Sequence, residues 1–138
     1  MEMIKTIQAF ALPFHLERSK SHETIISNPL KRYFDFSFQA WDGIKLPPIK
    51  DRGEPILFFQ YPPPQELLSN SKARIIWIPM WDHIYHKDQK WWNALPKHLK
   101  IVAFSESVYK RAKNAELNTL RLQYYVNPNQ FKRANWTD

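Results

Sequence analysis

The 138-residue chain contains no cysteine, only two glycines and no long apolar run. The lack of cysteine excludes a disulfide framework and thiol chemistry, and it permits a reducing cytoplasm. With Gly43 and Gly53 as its only glycines, the chain has neither a G-x-G-x-x-G motif nor a G-x-x-x-x-G-K-[ST] loop. A dinucleotide or nucleoside triphosphate site of the usual kind is therefore not expected.

Targeting and membrane-spanning signals are also missing. No apolar stretch approaches the 18 or so residues of a transmembrane helix. Residues 1–14 lack the basic leader and long apolar core of a signal peptide. The expected location is the cytoplasm, and peripheral contact with the inner face of the membrane is compatible with it.

Positive charge and aromatic residues are abundant. The formal net charge is +7, the sequence pI is about 9.7, and 43% of the residues are hydrophobic, which favours a packed single domain. A basic protein suits a nucleic acid, an anionic membrane or a phosphate-bearing substrate, or simply has a solvated basic surface. Lysine and arginine are spread along the chain without a long basic arm, so nucleic acid is not the expected partner.

Four short apolar runs, at residues 55–59, 73–79, 100–104 and 120–126, each end at a polar turn. Runs without polar alternation are typical of strands buried on both faces. Helical stretches between the runs predict βαβ units. The fold class expected is α/β: a three-layer Rossmann-like domain with a mainly parallel sheet and helices on both faces.

Other segments complete this prediction. Residues 5–12 predict a first strand, and residues 32–41 alternate aromatic with polar side chains, which indicates a strand near a sheet edge. A short helix is expected within 17–28, a helical turn at 64–69 and a short helix at 88–95 that Asp88 caps. The clearest helix is residues 105–116, with Ser105 as its N-cap or Ser107 as the alternative.

Five segments in order carry a family resemblance: FFQ at 58–60 with prolines 62–64, RIIWIPMWD at 74–82, WNALP at 92–96, IVAFS at 101–105 and LQYYVNP at 122–128. This series resembles the N-terminal half of bacterial GT-B glycosyltransferases of the "group 1" type, which build surface polysaccharides. In that family a strand ends in a W-x-P-M-x-D turn, and a later strand ends in Phe-Ser before a helix. The resemblance covers residues 55–130 well and residues 1–54 loosely.

The resemblance implies transfer of a sugar from a nucleotide-sugar donor to a glycan or lipid-linked acceptor. It implies that residues 1–128 form the acceptor-binding domain, one half of a GT-B fold. Residues 129–138 would be a linker toward a second domain, which holds most of the donor and is absent from this chain. The chain by itself is expected not to transfer sugar efficiently. No cofactor is expected, and the expected partners are the donor, the acceptor and an anionic membrane surface.

Ligands of parallel sheets bind outside the carboxyl ends of the strands, so the polar turns are candidate sites. Trp81 would stack on the apolar face of a sugar ring and Asp82 would accept hydrogen bonds from its hydroxyls. Asp82 or His83 would act as the general base toward an acceptor hydroxyl. The alternative is that Asp82 caps the following helix while Trp81 packs into the core.

Three further turns are weaker candidates. Gln60 would hydrogen-bond a ligand and Tyr61 would stack on it, unless the pair is a rigid turn in which Gln60 binds its own backbone. Ser105 and Glu106 would place an anion at a helix N-terminus, unless they only cap it. His15, after the first strand, would face the interdomain cleft as a base, or would be a solvated or packed histidine.

The sequence leaves three other interpretations: metal binding, an anion-binding module and a phosphoacceptor receiver. Asp82, His83 and His86 form a trio without a fourth ligand or a strong zinc spacing, so no metal is expected. The main alternative function is a basic α/β binding module for nucleic acid or another anionic partner, without catalysis. A receiver with Asp82 as phosphoacceptor is disfavoured, because residues 13–15 replace the acidic cluster expected after the first strand.

Overall fold

A computed structural model describes residues 6–13, 16, 26–49, 53–80 and 84–122, and these form a six-stranded sheet. The strands are β1 Thr6–Ala11, β2 Asp35–Ala40, β3 Ile56–Phe59, β4 Ile75–Ile78, β5 Lys100–Ala103 and β6 Asn118–Arg121. Their order is β2-β1-β3-β4-β5-β6, and every neighbouring pair is parallel. The predicted α/β class is confirmed, and the arrangement is consistent with a Rossmann-like fold.

Short helices connect the strands, and two of them begin where the sequence predicts a cap. The helices are α1 Asn28–Lys31, α2 Gln65–Leu68, α3 Gln89–Asn93 and α4 Glu106–Asn114. Asp88 Oδ1 accepts a hydrogen bond from the Trp91 N–H at 2.9 Å and so caps α3. Ser105 Oγ accepts from the Val108 N–H at 3.1 Å, so Ser105 and not Ser107 caps α4. Both helices begin at polar side chains that satisfy otherwise free backbone N–H groups.

The core lies on both faces of the sheet, because successive residues of a strand point to opposite faces. One face carries Phe58, Trp77 and Ile101 and packs against the buried residues of α2, α3 and α4. The other carries Leu57 and Phe59, together with Ile78, Ile26 and Leu30 of α1. A single-residue shift in register would therefore exchange one core for the other.

The edge strands differ in how well the sequence predicted them. β2 pairs only with β1, which confirms the edge position predicted from its alternation. β6 begins at Asn118, two residues before the predicted run at 120–126, and only Thr119 of it is buried. The prediction of a strand buried on both faces is wrong here, because β6 is an edge strand and Leu120 is 57% exposed. Residues 123–126 lie outside the described residues.

The direction of winding reverses between β1 and β3. The chain passes from β1 to β2 on one side and then returns to β3 on the other side of β1. Where the connections that follow two adjacent strands run in opposite directions, a crevice forms between the carboxyl ends of those strands. Open α/β sheets bind their ligands in such crevices. Leu12 follows β1 at this crevice, and Gln60 follows β3. None of the helices in the described part of the chain is long and apolar enough to span a bilayer.

Candidate functional site

The backbone turns abruptly at the carboxyl end of β3. Gln60 has a φ of 71°, and the Tyr61 N–H donates to the Phe59 carbonyl oxygen at 3.0 Å. A hydrogen bond between residues two apart around a positive φ is typical of the strained form of the γ-turn. Residues other than glycine rarely adopt a positive φ, and glutamine is not among the types enriched there. The chain therefore accepts backbone strain at this strand end.

β4 holds the strained turn in place. The Gln60 N–H donates to the Ile78 carbonyl oxygen at 2.9 Å, and the Gln60 carbonyl oxygen accepts from Trp77 Nε1 at 2.9 Å. Trp77 is completely buried, so its indole N–H has no water to bind instead. With both backbone groups of Gln60 satisfied from the neighbouring strand, the surrounding structure determines the strained conformation.

The Gln60 side chain makes a second unfavourable contribution to the stability of the fold. The residue is 8% exposed, and its Oε1 atom is buried without a hydrogen-bond partner among the described residues. A buried, unsatisfied amide oxygen costs about 1–3 kcal/mol. The alternative in which this side chain ties down its own backbone is therefore wrong for Oε1. Strain and an unsatisfied acceptor coincide at one residue, a combination that occurs preferentially at functional sites.

The loop after β2 forms one wall of the crevice. Gly43, with a φ of 80°, lies so close to Tyr61 that a Cβ atom at position 43 would be 2.4 Å from Tyr61 Cδ2 and 3.2 Å from Leu12 Cδ2. Trp41 Nε1 donates to the Lys45 carbonyl oxygen. The Trp41 ring also packs edge-on against Phe58, with 5.1 Å between ring centroids. The loop is thus anchored in the core and pressed onto Tyr61.

Asp42 orders the outer part of this loop. Its Oδ1 accepts hydrogen bonds from the Ile44 N–H at 2.8 Å and the Lys45 N–H at 2.9 Å, and these bonds lower the pKa of the Asp42 carboxyl. The turn leaves two aliphatic side chains in solvent, Ile44 at 84% and Leu46 at 50% exposure. A lysine flanked by exposed aliphatic side chains therefore stands at the rim of the crevice.

We expect Gly43→Ala to destabilise the protein by about 2–4 kcal/mol, because it combines a disfavoured positive φ with a clash against Tyr61. Gly53→Ala is the matched control: Gly53 also has a positive φ, 69°, but no atom lies within 4 Å of the position of its Cβ. The control should lose only about 1 kcal/mol. Chemical denaturation measures both values, and equal losses would show that Gly43 does not press on Tyr61.

Ser105 and Glu106 are used by α4 itself. Ser105 caps the helix, and Glu106 Oε1 lies 3.5 Å from Lys110 Nζ in a pair whose side chains are both more than half exposed. The capping alternative is therefore what the structure shows for Ser105, and ligand binding by this turn stays a prediction. β5 is two strand spacings from β3, about 10 Å, so these residues share the edge of the sheet with Gln60 without adjoining it.

The remaining predicted site residues are not described. His15, Trp81, Asp82 and His83 lie outside the described residues, so their predicted roles stay predictions. In the described part of the chain, which includes His86, no three histidine, cysteine or acidic side chains are placed to hold a metal ion. The site that the structure does define therefore consists of Gln60, Tyr61 and the loop that covers them.

Sequence reasoning named Gln60 and Tyr61 but missed the features that make them unusual. No local pattern reveals the strained φ of Gln60. Nor does it reveal the hydrogen bond between Trp77 and Gln60, which are 17 positions apart in the sequence. Gly43 was the one available signal, because an isolated glycine in a loop often marks a positive φ or a close approach. No protein-family model matches this chain, and neither a curated protein nor a solved structure shows significant similarity to it.

Proposed function

We propose that this chain is the acceptor-binding N-terminal domain of a GT-B glycosyltransferase, with the sugar-bearing acceptor in the crevice between the carboxyl ends of β1 and β3. The observation that carries this proposal is Gln60, whose buried amide oxygen has no donor among the described residues and sits at a strained turn beside the switch in strand order. The crevice is where a sheet of this topology binds ligands.

A sugar supplies what this site lacks. Its hydroxyl groups donate hydrogen bonds, and the apolar side of its ring packs on an aromatic face. Oε1 of Gln60 is closed to solvent, so ligand binding requires the amide to turn toward the crevice. Because Oε1 has no donor in the described structure, that rotation sacrifices none of its hydrogen bonds and gains one with the ligand. Tyr61, whose ring is half buried and in contact with Gly43, would stack on the ligand with the part of the ring that remains accessible.

The rim of the crevice suits an acceptor attached to a lipid. Ile44 and Leu46 expose aliphatic surface on either side of Lys45, on a loop that its own hydrogen bonds hold in shape. Aliphatic side chains with an adjacent cation fit the boundary between acyl chains and anionic headgroups. This combination supports peripheral contact with a membrane carrying a lipid-linked acceptor.

The catalytic part of the proposal concerns residues that follow β1 and β4 in the sequence. Asp82 and His83 follow β4, the strand beside β3, and His15 follows β1. One of them would take the proton from the acceptor hydroxyl, while the second domain holds the nucleotide-sugar. Loss of transfer on Asp82→Ala in the enzyme joined to its second domain, with folding intact, would support that role. Unchanged kinetics would remove Asp82 from the site.

Binding is tested with the chain itself. A panel of soluble neutral oligosaccharides is titrated against ¹⁵N-labelled protein, and amide shifts are followed by NMR. We expect saturable shifts at Gln60, Tyr61 and Gly43 with at least one member of the panel. Gln60→Met should weaken that binding about tenfold, since it replaces a hydrogen-bonding amide by an apolar chain of similar length.

The matched control is Gln65→Met, the same substitution on the exposed face of α2. It should leave oligosaccharide binding unchanged. The proposed site is wrong if shifts appear away from the crevice, or if Gln60→Met and Gln65→Met bind equally well. A panel without any saturable binding would count against a sugar acceptor altogether.

A further inference from the structure

A pocket lies at the opposite edge of the sheet, where the strands begin. Its volume is about 320 Å³, and the amino ends of β4, β5 and β6 form its floor. Four of its lining residues are cationic: Lys72 and Arg74 before β4, Lys97 before β5 and Lys100 at the start of β5. Among the described residues, no acidic side chain lines the pocket. Four of the chain's 20 lysine and arginine residues therefore gather around one cavity.

The described residues provide these cations with no acidic partner. In the described part of the chain, none of the four lies within ion-pair distance of a carboxylate. Lys97 Nζ donates to the Ala115 carbonyl oxygen at the end of α4, and Arg74 Nη1 donates to the Gly53 carbonyl oxygen at 3.4 Å. Those bonds position two of the cations without neutralising them. Like charges around a shared cavity repel one another unless an anion occupies it.

A buried imidazole nitrogen adds an independent observation. His98 lines the same pocket, and its Nε2 is buried without a hydrogen-bond partner among the described residues. Buried polar atoms normally have a partner, and a ligand in this cavity would supply one. This nitrogen belongs to a residue that lines the same cavity as Lys97 and Lys100.

From the cavity, the four cations and His98, we propose that this pocket binds the phosphate group of a small phosphorylated molecule. Lysine and arginine are the usual ligands of phosphate oxygens. The volume is at the lower end of the range for small-molecule sites. Pro55 and Ile75 supply an apolar wall for the remainder of the ligand. The proposal is independent of the sugar crevice, which lies at the other end of the strands.

The test uses inorganic pyrophosphate as the probe, titrated against the ¹⁵N-labelled chain at low ionic strength. We expect saturable amide shifts at Arg74, His98 and Asn118, which line the pocket. The double variant Arg74→Gln, Lys100→Gln should raise the dissociation constant about tenfold or more, because two charge-assisted contacts are lost. Both side chains are exposed, so melting temperatures should remain close to that of the parent chain.

Lys110→Gln is the control for charge alone. It removes an exposed cation of α4 that does not line the pocket, and it should leave pyrophosphate binding nearly unchanged. An equal loss in the control would show general attraction to a basic protein and overturn the proposal. Absence of saturable shifts would do the same. A different result would be that a single-stranded oligonucleotide displaces pyrophosphate, binds more tightly than it does and binds the double variant more weakly. That result would overturn the small-molecule proposal and identify a nucleic acid as the ligand.

Discussion

Replacing Trp77 with alanine is expected to lower the free energy of unfolding by about 3–5 kcal/mol, the usual range for removing a fully buried tryptophan. Trp77 is completely buried and stacks on Trp92, with ring centroids 5.8 Å apart and an interplanar angle of 20°. Its removal opens a cavity where β4 meets α3. It also leaves the Gln60 carbonyl oxygen without the indole donor. Urea denaturation followed by far-UV circular dichroism measures this loss.

Two milder substitutions separate packing from the hydrogen bond. Trp77→Phe keeps an aromatic ring but removes the donor, and about 1–3 kcal/mol should be lost. Trp91→Phe is the control, because Trp91 is only half buried and packs edge-on against Trp77 at 6.0 Å. Only Trp77→Phe should speed hydrogen exchange at the Tyr61 amide, whose partner is the Phe59 carbonyl oxygen. Equal exchange in the two variants would mean that the indole does not hold the turn.

Gln60→Met is expected to raise the free energy of unfolding by about 1–3 kcal/mol. Methionine matches the length of the glutamine side chain but has no amide, so the buried oxygen that lacks a donor disappears. The strained φ of 71° remains in the variant, so the change isolates the side chain. Thermal and chemical denaturation of the parent and the variant, compared at one temperature, give the difference.

The same substitution at the exposed Gln65 should change stability by less than about 0.5 kcal/mol. A destabilised Gln60→Met protein would show that the amide makes a stabilising interaction, and the argument for a ligand there would fail. A variant that is more stable and also binds sugar more weakly would show that position 60 sacrifices stability for binding. That trade-off is common where a site needs an unsatisfied polar group.

Local patterns predicted most elements of this fold. The unalternating runs at 55–59, 73–79 and 100–104 correspond to β3, β4 and β5, and the caps Asp88 and Ser105 begin α3 and α4. These predictions succeeded because strand burial and helix capping leave their signal within a few residues. The run at 120–126 failed because its apolar side chains resemble those of a central strand, while the sheet places β6 at an edge.

The candidate site was predicted only in part. Gln60 and Tyr61 follow a buried strand, and that position alone marks them as candidates in a parallel sheet. Their strain, their burial and the pressure from Gly43 depend on contacts with β4 and with the loop after β2. Sequence spacing contains no information on such contacts. The cationic pocket was missed for the same reason, because its cations come from two segments, 72–74 and 97–100, that only the sheet brings together.

The sequence by itself determined that this protein has parallel βαβ units, where α3 and α4 begin, and that it has neither thiol chemistry nor a glycine-rich phosphate loop. Those properties follow from composition and from periodicity among near neighbours. Only the tertiary structure decided the order β2-β1-β3, the tie between Trp77 and Gln60, and the gathering of four cations at the amino edge. The reason is that strand order and pocket composition are set by packing between residues distant in sequence, and the local pattern at each residue is compatible with several such arrangements.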